Sequence, residues 1–435
     1  MPKAAALLQR PAALLKQLAE RKTQFGAEAA RDVEKLLTAA QSARFRNPGQ
    51  LIGLHETLLF LRAYPHSPRS LRLAEEILSS FEKRMSGMPP EPFEDPELSG
   101  ISGTIVSTNF SYEFARSLAA RHTRDIAIDW DNYEHPERLA SVLAKWIPDS
   151  REDWAIAPHP DWQRWFESAQ GNPTWLMDRT DPQIYDLLEI PLRWDLHHSR
   201  ASRSRHRLNS GEVFYQTQPL LTRREVSIAN EFAQPRTPLQ RLSLQEAQCV
   251  WGAIVDASAV RYRELYGFLH PDLKRMRRAD FGRGLACYFF PIPSRWRLPK
   301  RGYQGGMYFK NGVPIGYVEG LTSGLSMEVG FNLYYTFRQG ETAWLYARTL
   351  KLFGEVLGIE RFTIDPYQLG HENGEAIESG AFWFYRKLGF RPESKGIERL
   401  AVREERKIAH NPAYRTPPAT LRRLAESGMF YAADL

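Results

Sequence analysis

The sequence has few cysteines and no long apolar run. Its two cysteines, Cys249 and Cys287, belong to no CxxC pair and have no histidine cluster beside them. This excludes a disulfide framework or a cysteine zinc site and favours a reducing compartment. Polar residues interrupt the N-terminal MPKAAALLQRPAALLKQLAERK every few positions, whereas a secretory core needs about 7 to 15 apolar residues and a membrane span about 20. We therefore expect a cytoplasmic protein with no membrane partner.

The composition predicts a folded, basic protein of more than one domain. Hydrophobic residues make up 43% of the chain and charged residues 25%, which excludes disorder of the whole chain. Single cores stop growing at about 250 to 300 residues, so 435 residues suggest two or three domains. The formal net charge of +7 leaves open nucleic acid, a phosphorylated metabolite or an anionic membrane face as partner, without choosing among them.

Sequence patterns divide the chain into four predicted regions. Residues 1–90 are predicted to be helical, because leucines recur at intervals of three and four, as at Leu51, Leu54 and Leu58. Residues 91–240 are predicted to form a mainly helical region of unknown fold that is rich in tryptophan and proline. Residues 241–405 are predicted to be an α/β domain, and residues 406–435 a helical tail.

The second region contains three features with both functional and structural interpretations. Four tryptophans interleaved with three arginines could stack bases or sugars, although a small core is the favoured reading; they are Trp154, Trp162, Trp165, Trp175, Arg151, Arg164 and Arg179. The basic stretch RASRSRHRLNSGE is predicted to be an exposed loop. His197 and His198 are adjacent and point in different directions, so their spacing predicts no metal site.

The C-terminal part alternates strand-like and helix-like segments. Three strand-like segments, GLACYFFPI, GMYFKNGVPIGYVEGL and MEVGFNLYYT, are predicted to form an antiparallel meander with a hairpin turn at KNG. A helix (WLYARTLKLFGEVLG), a strand (RFTIDPYQ), a helix (EAIESGAFWFYRKLG) and a strand-like stretch (IERLAVREE) follow. This order predicts a mixed α/β fold with a largely antiparallel sheet and helices on both faces, behind a mainly α N-terminal part.

This order resembles the GNAT superfamily, whose members are acyl-CoA-dependent N-acyltransferases. The resemblance covers the segment from about Gly284 to Val402 and rests on the turn FRQGETA and on SGAFWFYRKLGF. In the second motif, an alanine, a tyrosine and a terminal Gly-Phe fall at the family's spacing. In the first motif, Arg338 and Ala343 fall at the ends of the family's pyrophosphate-binding turn, but Glu341 stands where that pattern has glycine.

The resemblance implies a site for acetyl-CoA or another acyl-CoA at this turn. The N–H groups of Leu333 and Tyr335 would hold the pantetheine arm, and the turn would hold the pyrophosphate through Arg338, Gln339, Gly340, Glu341, Thr342 and Ala343. The alternative is that Glu341 and Thr342 merely cap the following helix, since both residue types favour its first turn. The sequence leaves the two readings open.

The resemblance also implies catalytic candidates. Glu328, on the strand before the turn, is the first choice for the base that deprotonates an amine, with His371 and Glu372 as competitors. Tyr385 falls where the family often places the hydroxyl that protonates the leaving thiolate. The structural alternatives are a half-solvated strand face for Glu328 and a packed aromatic core for Tyr385.

We therefore expect transfer of an acyl group, by direct attack, to an amine on a small molecule or peptide, with no metal. Two alternatives remain. One is a Fem-like transferase that uses aminoacyl-tRNA, which would account for basic patches at 200–207 and 274–278. The other is a binding or regulatory protein that keeps the fold without catalysis.

Overall fold

The structure is a computed structural model that describes residues 11–146, 172–209, 211–411 and 413–433. Of the interleaved tryptophans and arginines, Trp175 and Arg179 are described, with the Arg179 guanidinium 4.4 Å from the Trp175 ring centre. The others lie outside the described residues. Within the described part of the chain, no helix has both the length and the apolar character needed to cross a bilayer.

The described N-terminal region is built from helices: α1 Pro11–Arg21, α2 Ala27–Ser42, α3 Pro48–Ala63, α4 Pro68–Ser79 and α5 Phe81–Met85. Proline at the first helical position and a capping side chain before it fix the starts of α3 and α4. Asn47 accepts a hydrogen bond from the Gln50 N–H, and Ser67 and Ser70 cap each other's backbone. These helices bury their leucines against one another and against the C-terminal sheet.

A small α/β unit follows, with elements β1 Ile105–Thr108, α6 Tyr112–Arg121, β2 Ile126–Ile128, α7 Pro136–Trp146, α8 Asn172–Met177, α9 Pro182–Leu188 and β3 Leu192–Asp195. Strand β3 lies between β1 and β2 and is antiparallel to both. The buried side chains of these strands form a second hydrophobic core with the helices.

The described C-terminal strands form a nine-stranded sheet in the order β11-β12-β10-β9-β8-β7-β6-β5-β4. The strands are β4 Leu239–Arg241, β5 Arg277–Gly282, β6 Leu285–Pro291, β7 Gly302–Lys310, β8 Val313–Ser323, β9 Ser326–Leu333, β10 Arg361–Ile364, β11 Arg391–Pro392 and β12 Met429–Ala432. All paired neighbours are antiparallel except β9 and β10. The predicted mixed α/β class with a largely antiparallel sheet is thereby confirmed.

The predicted hairpin at KNG is also confirmed. Asn311 and Gly312 join β7 to β8, and both have positive φ, at 49° and 80°. Two consecutive residues in that region match the tight turn whose twist suits a β-hairpin.

The helices of this part are α10 Ile228–Phe232, α11 Leu244–Ala259, α12 Tyr266–Leu269, α13 Thr342–Leu357, α14 Pro366–Leu369, α15 Gly374–Ser379, α16 Ala381–Lys387, α17 Lys395–His410 and α18 Pro418–Leu424. The predicted single helix EAIESGAFWFYRKLG is two helices, because Gly380 adopts a positive φ of 69° between them.

The strand predicted at IERLAVREE was wrong, because this stretch lies within helix α17. Its buried residues, Leu400, Ala401 and Glu404, recur at intervals of one and three, which suits one helix face rather than a two-residue strand period. The tail predicted to be helical contains α18 and also β12, which inserts between β10 and β11.

The prediction of an exposed loop for the basic stretch was also wrong over residues 201–206, whereas Arg200 is exposed. Ser202, Arg203 and Ser204 are each at most 2% exposed. The Arg62 guanidinium donates hydrogen bonds to the carbonyls of Arg203 and Ser204, and the His55 ring contacts the Ser204 hydroxyl at 2.9 Å. The stretch therefore packs on α3 and is not free in solvent.

Candidate active site

The two parallel strands β9 and β10 pair over three residues only. Their register joins Ser326 to Arg361, Met327 to Phe362 and Glu328 to Thr363. Beyond Glu328, β9 continues to Leu333, whereas β10 ends at Ile364. The Gln368 side-chain amide of α14 donates a hydrogen bond to the Val329 carbonyl at 3.1 Å, in place of a β10 partner. A wedge therefore opens between the two strands after Glu328.

Two carboxylates lie on one face of the sheet beside this wedge. Strand β8 pairs with β9 so that Glu319 stands opposite Gly330 and Leu321 opposite Glu328. Directly opposite residues share a face, so Glu319 and Glu328 are diagonal neighbours with Cα atoms about 7 to 8 Å apart. We call Glu319 and Glu328 the carboxylate pair.

Glu319 has a single described partner for its side chain. The Tyr303 hydroxyl donates a hydrogen bond of 2.6 Å to its carboxylate. Burial raises the pKa of Glu319, and the hydrogen bond from Tyr303 lowers it by a smaller amount. A carboxyl group with a raised pKa is a better proton acceptor than a solvated one.

Glu328, the base suggested by the family resemblance, is half-buried on the same face. Burial and the nearby Asp365 raise its pKa, and Arg301 lowers it. Both members of the carboxylate pair therefore hold protons more tightly than ordinary glutamates do. The sequence did not single out Glu319, because its position beside Glu328 depends on the pairing of β8 with β9.

Open space lies above Gly330, between the two carboxylates. A Cβ atom placed on Gly330 would meet only the carbonyl oxygen and Cβ of Glu319, at 3.7 and 3.9 Å. By contrast, a Cβ on Gly305, the residue opposite Glu319 on β7, would lie 2.8 Å from the Phe290 ring. The strand face next to the wedge is therefore the side of Glu319 with room for a ligand.

Polar side chains border the carboxylate pair at its other end. The Tyr317 hydroxyl receives hydrogen bonds of 3.3 Å from Arg263 and from the Asn332 amide. Asn332 lies opposite Tyr317 on β9. Arg263 in turn pairs with Glu97, which comes from the segment before β1. A residue far away in sequence thus borders the same sheet face.

Helix α13 begins at Thr342, after the turn that follows Leu333 at the end of β9, and its N-cap side chain makes no capping hydrogen bond. Glu341 is its N-cap residue, and the Glu341 side chain forms no hydrogen bond with the first N–H groups of the helix. Glu341 is 4% exposed and turns inward, 2.6 Å from Arg283 and 3.8 Å from Lys310, and it accepts a hydrogen bond from the Leu221 N–H. Its negative charge is therefore compensated inside the protein and does not face an anion on the outer side of the turn.

The inner side of the turn packs against helix α3. A Cβ atom on Gly340 would lie 2.4 Å from the Tyr64 hydroxyl, which leaves no room for any residue but glycine unless Tyr64 moves. Lys310 lies behind this contact, 4.5 Å from the centre of the Tyr64 ring, and burial lowers its pKa to about 7. The turn is thus fixed by the N-terminal helices.

The outer rim of the turn consists of Arg338 and Gln339, which are exposed, and Thr342, which is half-buried. Arg338 donates to the Leu333 carbonyl, pairs with Glu375 at 2.7 Å and lies 4.0 Å from Glu97. Glu97 also accepts a hydrogen bond of 3.3 Å from the Tyr335 N–H.

The remaining predicted residues lie in different environments. Leu333 and Ala343 are buried, whereas the Tyr335 ring is 58% exposed. His371 and Glu372 are exposed in the loop between α14 and α15. No described hydrogen bond or ion pair joins either of them to the carboxylate pair.

Tyr385 lies in an aromatic cluster, 5% exposed, with its ring centre 5.5 Å from that of Tyr346 and 5.7 Å from that of Phe390. Burial raises the pKa of the Tyr385 hydroxyl. Such a phenol keeps its proton at neutral pH and is a weaker proton donor than an ordinary tyrosine.

A second opening, a cleft of about 780 Å³, lies over the small sheet. At its edge Asp129 is 4% exposed and accepts hydrogen bonds from Ser107 at 2.6 Å and Asn132 at 2.9 Å. Among the described residues, no group of three or more histidine, cysteine, aspartate or glutamate side chains is placed to hold a metal ion.

Comparison with protein-family models, with curated proteins and with solved structures found no match to this chain.

Proposed function

We propose that the C-terminal part is an N-acyltransferase of the GNAT type, which transfers an acyl group, such as acetyl, from coenzyme A to a primary amine. The observation that carries the proposal is the wedge between β9 and β10 with the carboxylate pair at its side. Beyond Glu328 the backbone of β9 has no β10 partner, which leaves this strand edge to an extended ligand, and the open space above Gly330 offers room for the reacting groups.

The reaction is a direct attack of the amine nitrogen on the thioester carbonyl. The C–N bond forms, the C–S bond breaks, and the proton lost by the amine passes to a carboxylate. Glu319 is our first choice for this base because its raised pKa and its single hydrogen bond to Tyr303 leave it ready to accept a proton. Glu328 is the second choice, and Tyr385 keeps its proposed role as donor to the thiolate.

The turn before α13 would hold the pyrophosphate. Its helix start is uncapped, Arg338, Gln339 and Thr342 line its outer rim, and the Glu341 charge is neutralised by Arg283 and Lys310. Backbone N–H groups at a helix start attract anions through hydrogen bonding and through the helix dipole.

The test separates binding from chemistry. We expect coenzyme A to bind wild type, Glu319→Gln and Glu328→Gln equally in titration calorimetry. Acyl transfer to an amine panel should fall about 100- to 10,000-fold in the variant that lacks the base. Glu212→Gln, on the exposed surface, is the matched control. Absence of coenzyme A binding to wild type at millimolar concentration would remove the proposal.

A second candidate donor is aminoacyl-tRNA. It is favoured by the ion pairs of Arg338 with Glu97 and Glu375 at the rim of the turn. Because these carboxylates neutralise Arg338, its charge is less available for the pyrophosphate of coenzyme A. Under this alternative, the amine would attack the carbonyl of the aminoacyl ester beside the same carboxylate pair, the ester C–O bond would break, and the ribose hydroxyl of the tRNA would leave with the proton. Transfer from aminoacyl-tRNA, with no heat of binding for coenzyme A, would select it; binding of either donor without transfer would favour a non-catalytic binding protein.

A further inference from the structure

A groove of about 630 Å³ lies between helix α11, the C-terminal end of α6 and the segment 198–208. Its lining includes Arg121, Arg200, Arg205 and Arg207, three histidines and a single carboxylate, that of Asp256. We call it the arginine groove. None of its lining residues belongs to the turn or to the sheet face described above, so its role does not depend on acyl transfer.

Three of the four arginines in the lining are held by ion pairs. Arg121 pairs with Asp256 at 2.9 Å, Arg205 with Glu82 at 2.7 Å and Arg207 with Glu75 at 3.2 Å. Arg200 is exposed and forms no ion pair with any residue that the structure describes. The ion pairs fix the direction of three guanidinium groups, and Arg200 remains free to meet a ligand.

More positive charge lies buried behind the groove. Arg62, Arg203 and Arg261 are each at most 3% exposed. Arg203 pairs with Glu56. Arg62 lies 3.7 Å from the Glu75 carboxylate, which also pairs with Arg207. Arg261 forms no ion pair within the described part of the chain.

Of these seven arginines, five pair with four carboxylates, those of Glu56, Glu75, Glu82 and Asp256. A formal excess of three positive charges remains in one part of the molecule. Buried charges are poorly screened by salt, so their field extends to the groove.

The state of His206, which lines the groove, agrees with this field. The pKa of His206 is lowered to about 4, mainly by burial. Of the nearby charges, Asp256 raises this pKa, and Arg261 and Arg62 lower it. The ring is therefore neutral at pH 7, and the positive field of the groove comes from the arginines.

We propose that the arginine groove binds phosphate groups of an anionic ligand. Guanidinium groups present paired N–H donors that match phosphate oxygens, and the excess charge needs a ligand with more than one negative charge. Either the backbone of single-stranded RNA or a small pyrophosphate-bearing molecule has this chemistry. The groove also accounts for the basic stretch at 200–207, because Arg200, Arg205 and Arg207 line the groove, whereas Arg203 is buried.

The experiment uses the full chain and two probes. Fluorescence anisotropy measures binding of a labelled single-stranded RNA of about 12 nucleotides between about 50 and 200 mM salt, and calorimetry measures inorganic pyrophosphate. We expect Arg200→Gln with Arg205→Gln to weaken binding at least about tenfold and, for RNA, to reduce the salt slope by about 1.4, which corresponds to two lost phosphate contacts.

Two controls keep the outcome interpretable. Arg422→Gln with Arg423→Gln makes the same charge change at exposed positions of α18 and should leave binding unchanged. Arg200→Gln alone removes no ion pair, so it tests the groove even if the loss of the Arg205–Glu82 pair affects folding.

If the groove binds RNA but not pyrophosphate, its ligand is a nucleic-acid backbone. If pyrophosphate binds and displaces the RNA, its ligand is a small molecule that carries phosphate groups. The proposal is overturned if neither probe binds, or if the α18 control loses as much affinity as the groove variant.

Discussion

Glu97 occupies two donors that the proposed coenzyme needs. Its carboxylate accepts a hydrogen bond from the Tyr335 N–H, the group to which the family resemblance assigned the pantetheine arm, and lies 4.0 Å from the Arg338 guanidinium. It is itself held by Arg263. In this arrangement a carboxylate of the protein stands where oxygens of the ligand would be bound.

We therefore expect Glu97→Gln to increase the affinity for coenzyme A. A negative charge at about 4 Å from a phosphate costs about 1 kcal/mol in water and up to about 4 kcal/mol near a protein surface, so affinity should rise at least about fivefold. Titration calorimetry of the variant, with Glu94→Gln as a control from the same segment, measures the change. Equal affinities would show that Glu97 stays clear of the ligand.

At the same scale, the sequence could identify Glu328 as a candidate but not Glu319. The period of two along MEVGFNLYYT places Glu328 on one face of β9 from sequence alone. That Glu319 joins it depends on the pairing of β8 with β9, and a shift of one residue in register would put Glu319 on the opposite face. Register across strands is set by the whole sheet and cannot be taken from one strand.

The turn between β9 and α13 is an element shaped by a distant helix. Tyr64, at the end of α3, is 4% exposed and its hydroxyl fills the place that a side chain at position 340 would need. The sequence motif alone suggested that Gly340 admits a ligand. The structure gives this glycine another reason, since the approach of α3 requires it whether or not a ligand binds outside.

This contact predicts a coupled pair of substitutions. Gly340→Ala should lower the free energy of unfolding by about 1 to 3 kcal/mol, because the new methyl group overlaps the Tyr64 hydroxyl. Removal of that hydroxyl in Tyr64→Phe should relieve part of the loss, so the double variant should be more stable than the sum of the single effects. Urea unfolding of the four proteins measures the coupling. Strict additivity would contradict the contact.

Elements whose apolar residues recur at a regular interval were predictable from the sequence. Segments whose burial depends on contacts with distant parts of the chain were not. The strands around the KNG turn and helix α13 follow the pattern of their own residues. Residues 201–206 are rich in arginine and serine, yet most of them are buried, and the Arg203 guanidinium donates hydrogen bonds to Glu56, Thr336 and the Leu98 carbonyl. A basic stretch read alone carries no sign of such partners.

At the scale of the whole molecule, a buried ionic network joins the N-terminal helices to the C-terminal sheet. Glu56 of α3 pairs with Arg203 at 2.7 Å and accepts a hydrogen bond from Thr336, which follows β9. His55 contacts Glu56 at 3.1 Å. One hydrophobic core also includes residues from both regions, among them Leu14, Leu58 and Met429. The two regions should therefore unfold together.

This network predicts loss of stability in mild acid. Burial lowers the pKa of His55 to about 4, although the neighbouring Glu56 raises it in part. Burial also lowers the pKa of His206 to about 4. In the unfolded chain both histidines titrate near 6.5. Between pH 6.5 and 4 the unfolded state binds more protons, so the free energy of unfolding falls as the pH falls through this window.

The size of the effect and its assignment to one residue can be measured. Each histidine contributes up to about 3 kcal/mol to this loss. Burial raises the pKa of Glu56, but Arg203 and His55 lower it to about 2. Protonation of Glu56 below pH 4.5 therefore lowers the free energy of unfolding further. We expect His55→Gln to flatten part of the dependence of urea unfolding between pH 7 and 4.5, while His410→Gln, at an exposed site, leaves it unchanged. Because His55 lies where α3 meets the segment 199–206, a single unfolding transition should be retained throughout. Two separate transitions, or a slope unaffected by His55→Gln, would mean that the network neither joins the regions nor controls the response to acid.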